Sequence, residues 1–262
     1  MMRGIDVSNW QGGLIPSELD IDFCIAKATE GANFVDGYCD GFIQNCIEHD
    51  IPWGFYHFAR ENEPETEADF FVRNCTGYFG KGIAVLDYET ANYNNREWCE
   101  RFIDRVHDLT GVWCIIYMSA SMCAQFHGSW IPGKCGLWVA GYPFPSTNWT
   151  DVDMPYDVSP FEVVALWQFT SSLQLGNWYL DGDIAYMDSE AWMKYANPDG
   201  ESVPDLEPTY NGKTCRELAQ EVLDGKWGNG WNRKEALNAA FGNGTYEHVQ
   251  TIVNEMIGLE GC

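Results

Sequence analysis

At 262 residues the chain can hold one large domain, or one large and one small, each with its own core. A formal net charge of −24 leaves no basic surface that would release counterions from phosphates, which excludes nucleic acid as the main partner. No window of about 18 apolar residues occurs, which argues against membrane insertion, and the opening MMRGIDVSNWQGG lacks the apolar centre of a secretory signal.

Short apolar runs recur along the chain: GIDVS (4–8), FCIAKAT (23–29), PWGFYHF (52–58), IAVLDYE (83–89), WCIIYMS (113–119), LWVAGY (137–142), VVALWQF (163–169) and WYLDGDI (178–184). Their continuous apolar character suits strands covered on both faces, as in a parallel sheet. Between them, helical spacing appears at 38–50, with Phe42, Cys46 and His49 on one side, and at 65–79 and 94–111, the last stopped by Gly111. Eight strands with interspersed helices predict an α/β fold, a TIM-like barrel. About 195 residues is short for a full barrel, so some helices of the second half should be missing.

A Pro-, Gly- and acid-rich stretch, ANPDGESVPDLEPTYNG (196–212), reads as a linker. Beyond it three short helices are predicted: 214–224 with Leu218 and Val222 inward, 232–241 with Ala236, Leu237 and Ala240, and 245–257 with Val249, Ile252 and Val253. The expected organisation is a catalytic domain over 1–196, a linker over 197–212 and a small three-helix domain over 213–262. Ten cysteines are dispersed, many within apolar runs, with no CxxC pair. That pattern predicts mostly free thiols in a protein made in a reducing cytosol, and no zinc site.

The chemistry concentrates at strand ends. Asp87 and Glu89, two residues apart, point the same way with α-carbons roughly 6.5–7 Å apart. Asp6 in GIDVS and Asp181 in YLDGD occupy similar positions, where parallel barrels carry their active face. Mutual repulsion and partial burial would raise the pKa of at least one carboxyl, leaving a proton donor near neutral pH. Glycosidic cleavage needs such a donor for the leaving oxygen and a second carboxylate for the developing positive charge or as nucleophile. DGDIAYMDSE resembles a calcium loop only superficially, since Ala185 fills a ligand position, so no metal or other cofactor is expected.

GIDVSNWQG, KATEG (27–31), GFYHFAR (54–60), LDYE (86–89), LWVAGY and LWQF (166–169), in that order, closely resemble the catalytic domain of glycoside hydrolase family 25, the muramidases. The resemblance spans roughly residues 3–195. It implies a modified eight-stranded barrel with fewer helices, and cleavage of the β-1,4 bond from N-acetylmuramic acid to N-acetylglucosamine in peptidoglycan. By motif, Glu89 would be the general acid, Asp87 its support and the stabiliser of a charged intermediate, and Asp6 and Asp181 the rest of the acidic cluster. Asp181 of LDGD takes the matching place at the last strand, although Gly182 departs from the family's apolar residue there and Asp183 could be confused with it. Tyr56 would hydrogen-bond the N-acetyl group, and Trp138, Tyr142, Trp167 and Gln168 would line the saccharide cleft. His57 is expected to be a packed residue rather than a base. Glu30 is open to two roles, a substrate contact or a buried ion pair with Lys27. Both a substrate-assisted retaining route and a direct nucleophile remain open.

Residues 217–256 are similar to a cell-wall-binding repeat of phage lysins, carried by EVLDGKWGNG, Arg233 and VQTIVN. Trp227, Asn229, Arg233, Tyr246 and Gln250 are its expected contacts, although Trp227 and Tyr246 could equally pack the helices. A single copy implies weak binding, or avidity through a homo-oligomer formed through or beside this module. The whole predicts a phage endolysin that accumulates in the host bacterial cytoplasm and reaches the wall once a holin opens the membrane. The alternatives are a bacterial autolysin of the same activity or a non-catalytic peptidoglycan-binding protein.

Overall fold

The computed structural model of the chain describes residues 1–89, 95–198, 200, 209–210, 213–242 and 244–258. Nine strands form the main sheet: β1 (Met2–Val7), β2 (Phe23–Glu30), β3 (Phe34–Val35), β4 (Trp53–Phe58), β5 (Ile83–Asp87), β6 (Ile115–Ser119), β7 (Leu137–Ala140), β8 (Val164–Leu175) and β9 (Trp178–Ala185). All but β3 close into a ring, because β1 pairs with β2 on one side and β9 on the other. The eight ring strands are the eight predicted from their apolar runs. β3 is a short antiparallel addition to the end of β2.

The expectation of a parallel sheet fails at the last strand. β9 runs antiparallel to both β8 and β1, so the barrel is not wholly parallel. The cause is local: Leu175 and Trp178 are cross-strand partners, and Gly176 and Asn177 make the two-residue turn between them, Gly176 at φ 57°. Such a turn returns the chain as a hairpin instead of sending it round a helix.

Alternation along each strand divides the side chains. Phe23, Ile25, Val85, Tyr117, Trp138 and Leu166 fill the interior, while Phe55, Leu86, Ile116, Val139 and Trp167 pack outward. The outer layer meets α1 (Cys39–Glu48), α2 (Pro64–Cys75) and α3 (Arg96–Thr110), each with one apolar face. The Asn95 side chain accepts from Glu97 N–H to start α3, and Gly111 ends it at φ 73°, donating to the His107 carbonyl; only glycine takes that conformation cheaply. Gly4 is required for a different reason: a Cβ there would lie 2.5 Å from the Phe23 ring. His49 was expected on the buried side of α1, but it follows the last turn and is exposed.

After β6 the helices lapse as expected. Residues 120–126 form a 3₁₀ segment, and no α-helix lies between β7 and β8. α4 (Ser189–Ala196) then closes one end of the barrel: the buried Trp192 donates through Nε1 to the Trp53 carbonyl at 3.1 Å and packs 4.9 Å from the Phe23 ring. That end holds the starts of β2 and β4, so the opposite end is the open mouth. The eight cysteines of the barrel region, from Cys24 to Cys135, are buried thiols that pack as small apolar residues. No helix among the described residues is long and apolar enough to cross a membrane.

Of the expected linker, residues 199, 201–208 and 211–212 lie outside the described residues. A small hairpin, β10 (Thr209–Tyr210) with β11 (Lys213–Thr214), leads into α5 (Cys215–Leu223), α6 (Gly230–Phe241) and α7 (Thr245–Met256). Each helix lies within two residues of its expected range. Thr214 and Glu217 form a reciprocal capping box at the start of α5. Leu218, Val222, Leu237, Val249 and Val253 make the core, joined by the buried Tyr210, so packing begins before the expected boundary at 213. Ala240, expected inward, is exposed. Arg73 of α2 lies 4.8 Å from the Tyr210 ring centroid and joins the small unit to the barrel.

Candidate active site

At the open mouth, inward-facing residues from neighbouring strands converge on a cleft of about 280 Å³. Asp6 comes from β1, Lys27 from β2, Tyr56 and Phe58 from β4, and Asp87 from the last position of β5, with Glu89 just beyond it. Tyr117, Trp138 and Gln168 continue the ring through β6, β7 and β8, and Asp181 closes it from β9. Asp6 and Asp181 are directly opposed across the β1–β9 pair. Because β9 is reversed, Asp181 reaches the mouth from the first half of its strand, not from a C-terminal end. Asp183 shares its face but lies one layer deeper, fully buried. The cleft lining therefore takes Asp181. Gly182 between them faces outward, where an added Cβ would meet Leu173 and Phe169 at 3.1 Å, which accounts for glycine there.

The carboxyls are held away from their ordinary ionisation. Burial, then the neighbouring Glu89 and Asp6, push Asp87 well above the usual carboxylate range. Burial and Asp181 do the same to Asp6, against the stabilising donation of Gln168 Nε2 to Asp6 Oδ2 at 2.7 Å. Asp181 is pushed up to about 6 by burial and by Glu89. Glu89 is open to solvent at the rim, yet the surrounding walls raise it as well, opposed by the Tyr117 hydroxyl and by Lys27. Burial beside Asp6 and Asp87 keeps the Tyr56 hydroxyl protonated. Desolvation outweighs every favourable contact at these acids, so the site stores protons that an exposed set would release.

Gln168 is the hub of the wall. It is buried, donates to Asp6, and accepts through Oε1 from the hydroxyls of Tyr117 at 2.8 Å and Tyr142 at 2.5 Å. Trp138 lines the cleft, almost wholly buried and 4.7 Å from the Tyr117 ring. Trp167, expected in the cleft, is not there: it faces the outer layer, fully buried, with Nε1 donating to the Gly141 carbonyl at 2.9 Å. Glu30 is also outside the lining, bound between Lys27 and Arg60, which resolves its two readings toward an ion-pair chain. His57 faces outward, between Thr29 Oγ1 at 2.8 Å and Glu67 Oε2 at 2.9 Å, and burial lowers its pKa. Sequence reasoning passed over Trp10. Its ring is 86% exposed at the cleft edge, on a short turn fixed by a Ser8–Gln11 capping box and by Asn9 N–H donating to the buried Asp36. The signal was available in DVSNWQG, where an aromatic follows the strand that carries Asp6.

On the small unit, Arg233 donates from Nη1 to Gln250 Oε1 at 2.9 Å and from Nε to the Gly228 carbonyl at 3.1 Å, with Asn229 Oδ1 at 3.5 Å from Nη2. Asn229, Arg233 and Gln250 thus form one surface cluster. Trp227 packs 5.3 Å from Phe241 and donates to Glu221 Oε2, and Tyr246 lies partly buried under Lys234, so both serve the packing of the unit. Trp231, not singled out from sequence, is 69% exposed beside the cluster.

The comparisons with known proteins agree with this geometry. The family model described as glycosyl hydrolases family 25 matches residues 5–178, and that of the CW_7 repeat matches residues 216–257. Lysozyme M1 of Streptomyces globisporus is 30% identical over 70% of this chain and 66% of its own length. The lysozyme of Streptococcus phage Cp-7 is 28% identical over 96% of this chain and 69% of its own. The chain thus spans about two thirds of the length of these relatives. Among solved structures, the bacterial lysozyme from Streptomyces coelicolor superposes with a TM-score of 0.64 at 27% identity, covering 75% of this chain and 97% of that one. With its reduced barrel, its acidic mouth and a family match over most of its length, this chain belongs to glycosyl hydrolases family 25.

Proposed function

We propose that the chain is an N-acetylmuramidase that cleaves the β-1,4 bond between N-acetylmuramic acid and N-acetylglucosamine in peptidoglycan. The observation that carries this reading is the division of labour among the cleft acids. Glu89 stands open at the rim with a raised pKa, suited to protonate a leaving glycosidic oxygen, while Asp87 and Asp6 lie buried behind it. Tyr56, held as a neutral hydroxyl, is suited to donate to the substrate's N-acetyl oxygen and to fix it for attack on the anomeric carbon. Asp87 then stabilises the cationic oxazolinium, and water attacks with Glu89 returning as base. Similarity to a phage lysozyme across nearly the whole chain supports an endolysin made in the host cytoplasm and acting on the wall after membrane opening. The Asn229–Arg233–Gln250 cluster at the surface, with Asn229 exposed and the other two half-buried, supports wall binding by the small unit.

The test is mass spectrometry of peptidoglycan digested by the full chain and by Glu89→Gln. New reducing ends on N-acetylmuramic acid, made by the first and not the second, are expected. Ends on N-acetylglucosamine, cleaved peptides, or equal digestion by both would sink the assignment.

A further inference from the structure

Beneath the cleft floor sits a carboxyl that the mechanism above does not use. Asp183 is fully buried in β9, with Oδ1 accepting from Trp138 Nε1 at 2.8 Å. Its Oδ2 is also buried and meets no amide, hydroxyl or ring donor among the described residues. Its neighbour is the carboxyl of Asp6, diagonal to it on the inward face of the β1–β9 pair, where Gly4 stands opposite Asp183 and Asp6 opposite Asp181, and each carboxyl shifts the other's protonation. Two buried carboxyls side by side cannot both carry charge, so the pair keeps a proton. The donors around the pair decide where it lies. Asp6 already receives Gln168 Nε2 and opens on the cleft, whereas nothing else donates to Asp183 Oδ2.

We propose that Asp183 is a positioning residue, kept as a neutral carboxylic acid, whose Oδ2 proton is donated to Asp6 and holds Asp6 as an oriented anion under the cleft. A neutral acid has one acceptor and one donor, which matches the Trp138 ring N–H on one side and the Asp6 carboxylate on the other. Burial, then Asp6 and Asp181, raise its pKa well above the ordinary range. The titratable groups around the pair are Asp181 on its own strand, Cys24 on β2, Tyr56 on β4, Asp87 on β5 with Glu89 beyond it, Tyr117 on β6 and Tyr142 after β7. The acids among them favour the proton's retention, and the cation of the cleft lining, Lys27, acts on Asp87 and Glu89. Asp183 itself touches no substrate; it acts through Asp6. The role of Asp6 in catalysis rests on the muramidase reading, but the protonation of Asp183 does not.

The test uses the full chain with Asp183→Asn and Asp183→Leu. An amide reproduces the acceptor and the donor, so Asp183→Asn should keep kcat on cell walls within about threefold and leave the acid limb of the pH profile in place. Leucine removes a donor to a buried anion, and kcat should fall roughly 10- to 100-fold with little change in KM and an upward shift of that limb. Infrared difference spectra at neutral pH, wild type minus Asp183→Asn, should show the carbonyl band of a protonated carboxyl. This readout survives if the leucine chain fails to fold. Absence of that band, or a loss in Asp183→Asn equal to that in Asp183→Leu, overturns the proposal. A band present in a wild type that releases no muramic reducing ends would instead retain a neutral Asp183 and remove the muramidase reading.

Discussion

The cleft and the surface of the small unit are both polar, and they handle charge in opposite ways. In the cleft, Asp6, Asp87 and Asp181 are crowded together with raised pKa values, and Asp87 Oδ1 is buried without a hydrogen-bond partner among the described residues. On the small unit, Glu221 faces Lys213, Lys226 and the Trp227 ring N–H, which hold its carboxyl down at about 2. One region holds protons because burial penalises its charged carboxylates; the other is a satisfied surface. The contrast shows where this chain departs from what stability alone would select, and therefore where its chemistry lies.

The largest test of the contrast is Glu89→Gln, which should lower muramidase turnover by roughly a thousandfold, measured as reducing-end release. Asp87→Asn comes next, with an expected loss of about a hundredfold in turnover but a gain in stability at pH 7. The sign follows from linkage. The folded chain holds the Asp87 proton more tightly than the unfolded chain, so stability falls as pH rises from the unfolded pKa through the raised folded one. Asparagine removes that loss, so its melting midpoint should exceed the wild type at pH 7 and converge with it in strong acid. A lower midpoint at pH 7 would break the comparison. Trp10→Ala should raise KM about tenfold with kcat nearly unchanged, because an exposed ring on a fixed turn offers stacking to a sugar before the bond breaks.

Smaller shifts sharpen the picture. Lys27 lowers the pKa of both Glu89 and Asp87. Lys27→Met should therefore let Glu89 keep its proton longer and move the basic limb of the activity profile to higher pH, by less than about one unit. On the small unit, Arg233→Ala should weaken co-sedimentation with cell walls only a few-fold, since single hydrogen bonds at a partly exposed surface contribute little individually. A loss as large as that from Glu89→Gln would mean that the surface cluster, not the cleft, governs the protein.

Much of this was legible in sequence because a closed barrel buries both faces of its strands, and buried strands announce themselves as unbroken apolar runs. The convergence of Asp6, Asp87 and Glu89 followed from their places at the ends of such runs. Direction was harder: an apolar run reads the same for a parallel or an antiparallel strand. Only the Gly176–Asn177 pair between two runs marked the hairpin, and it carries little weight against seven parallel neighbours. The facing of Trp167 was recoverable by parity, since adjacent residues on a strand cannot share a face and Gln168 points inward. What could not be read was partnership. Nothing in the spacing of Glu30 from Arg60, or of Asp183 from Trp138, reveals that one is neutralised by a neighbouring cation and the other by a proton.

The reversed β9 also bears on how the chain is made. Within the barrel β1 is synthesised before the other strands, and one of its edges is covered early by β2. Its other edge is covered only by β9, in a register that pairs Met2 with Ala185. Nearly the whole barrel must therefore be synthesised while β1 presents an open row of backbone donors and acceptors. The last step of closure is the docking of one hairpin, β8 with β9, and that step also brings Gln168, Asp181 and Asp183 to Asp6. A nascent barrel has no complete acidic mouth until its final strand arrives.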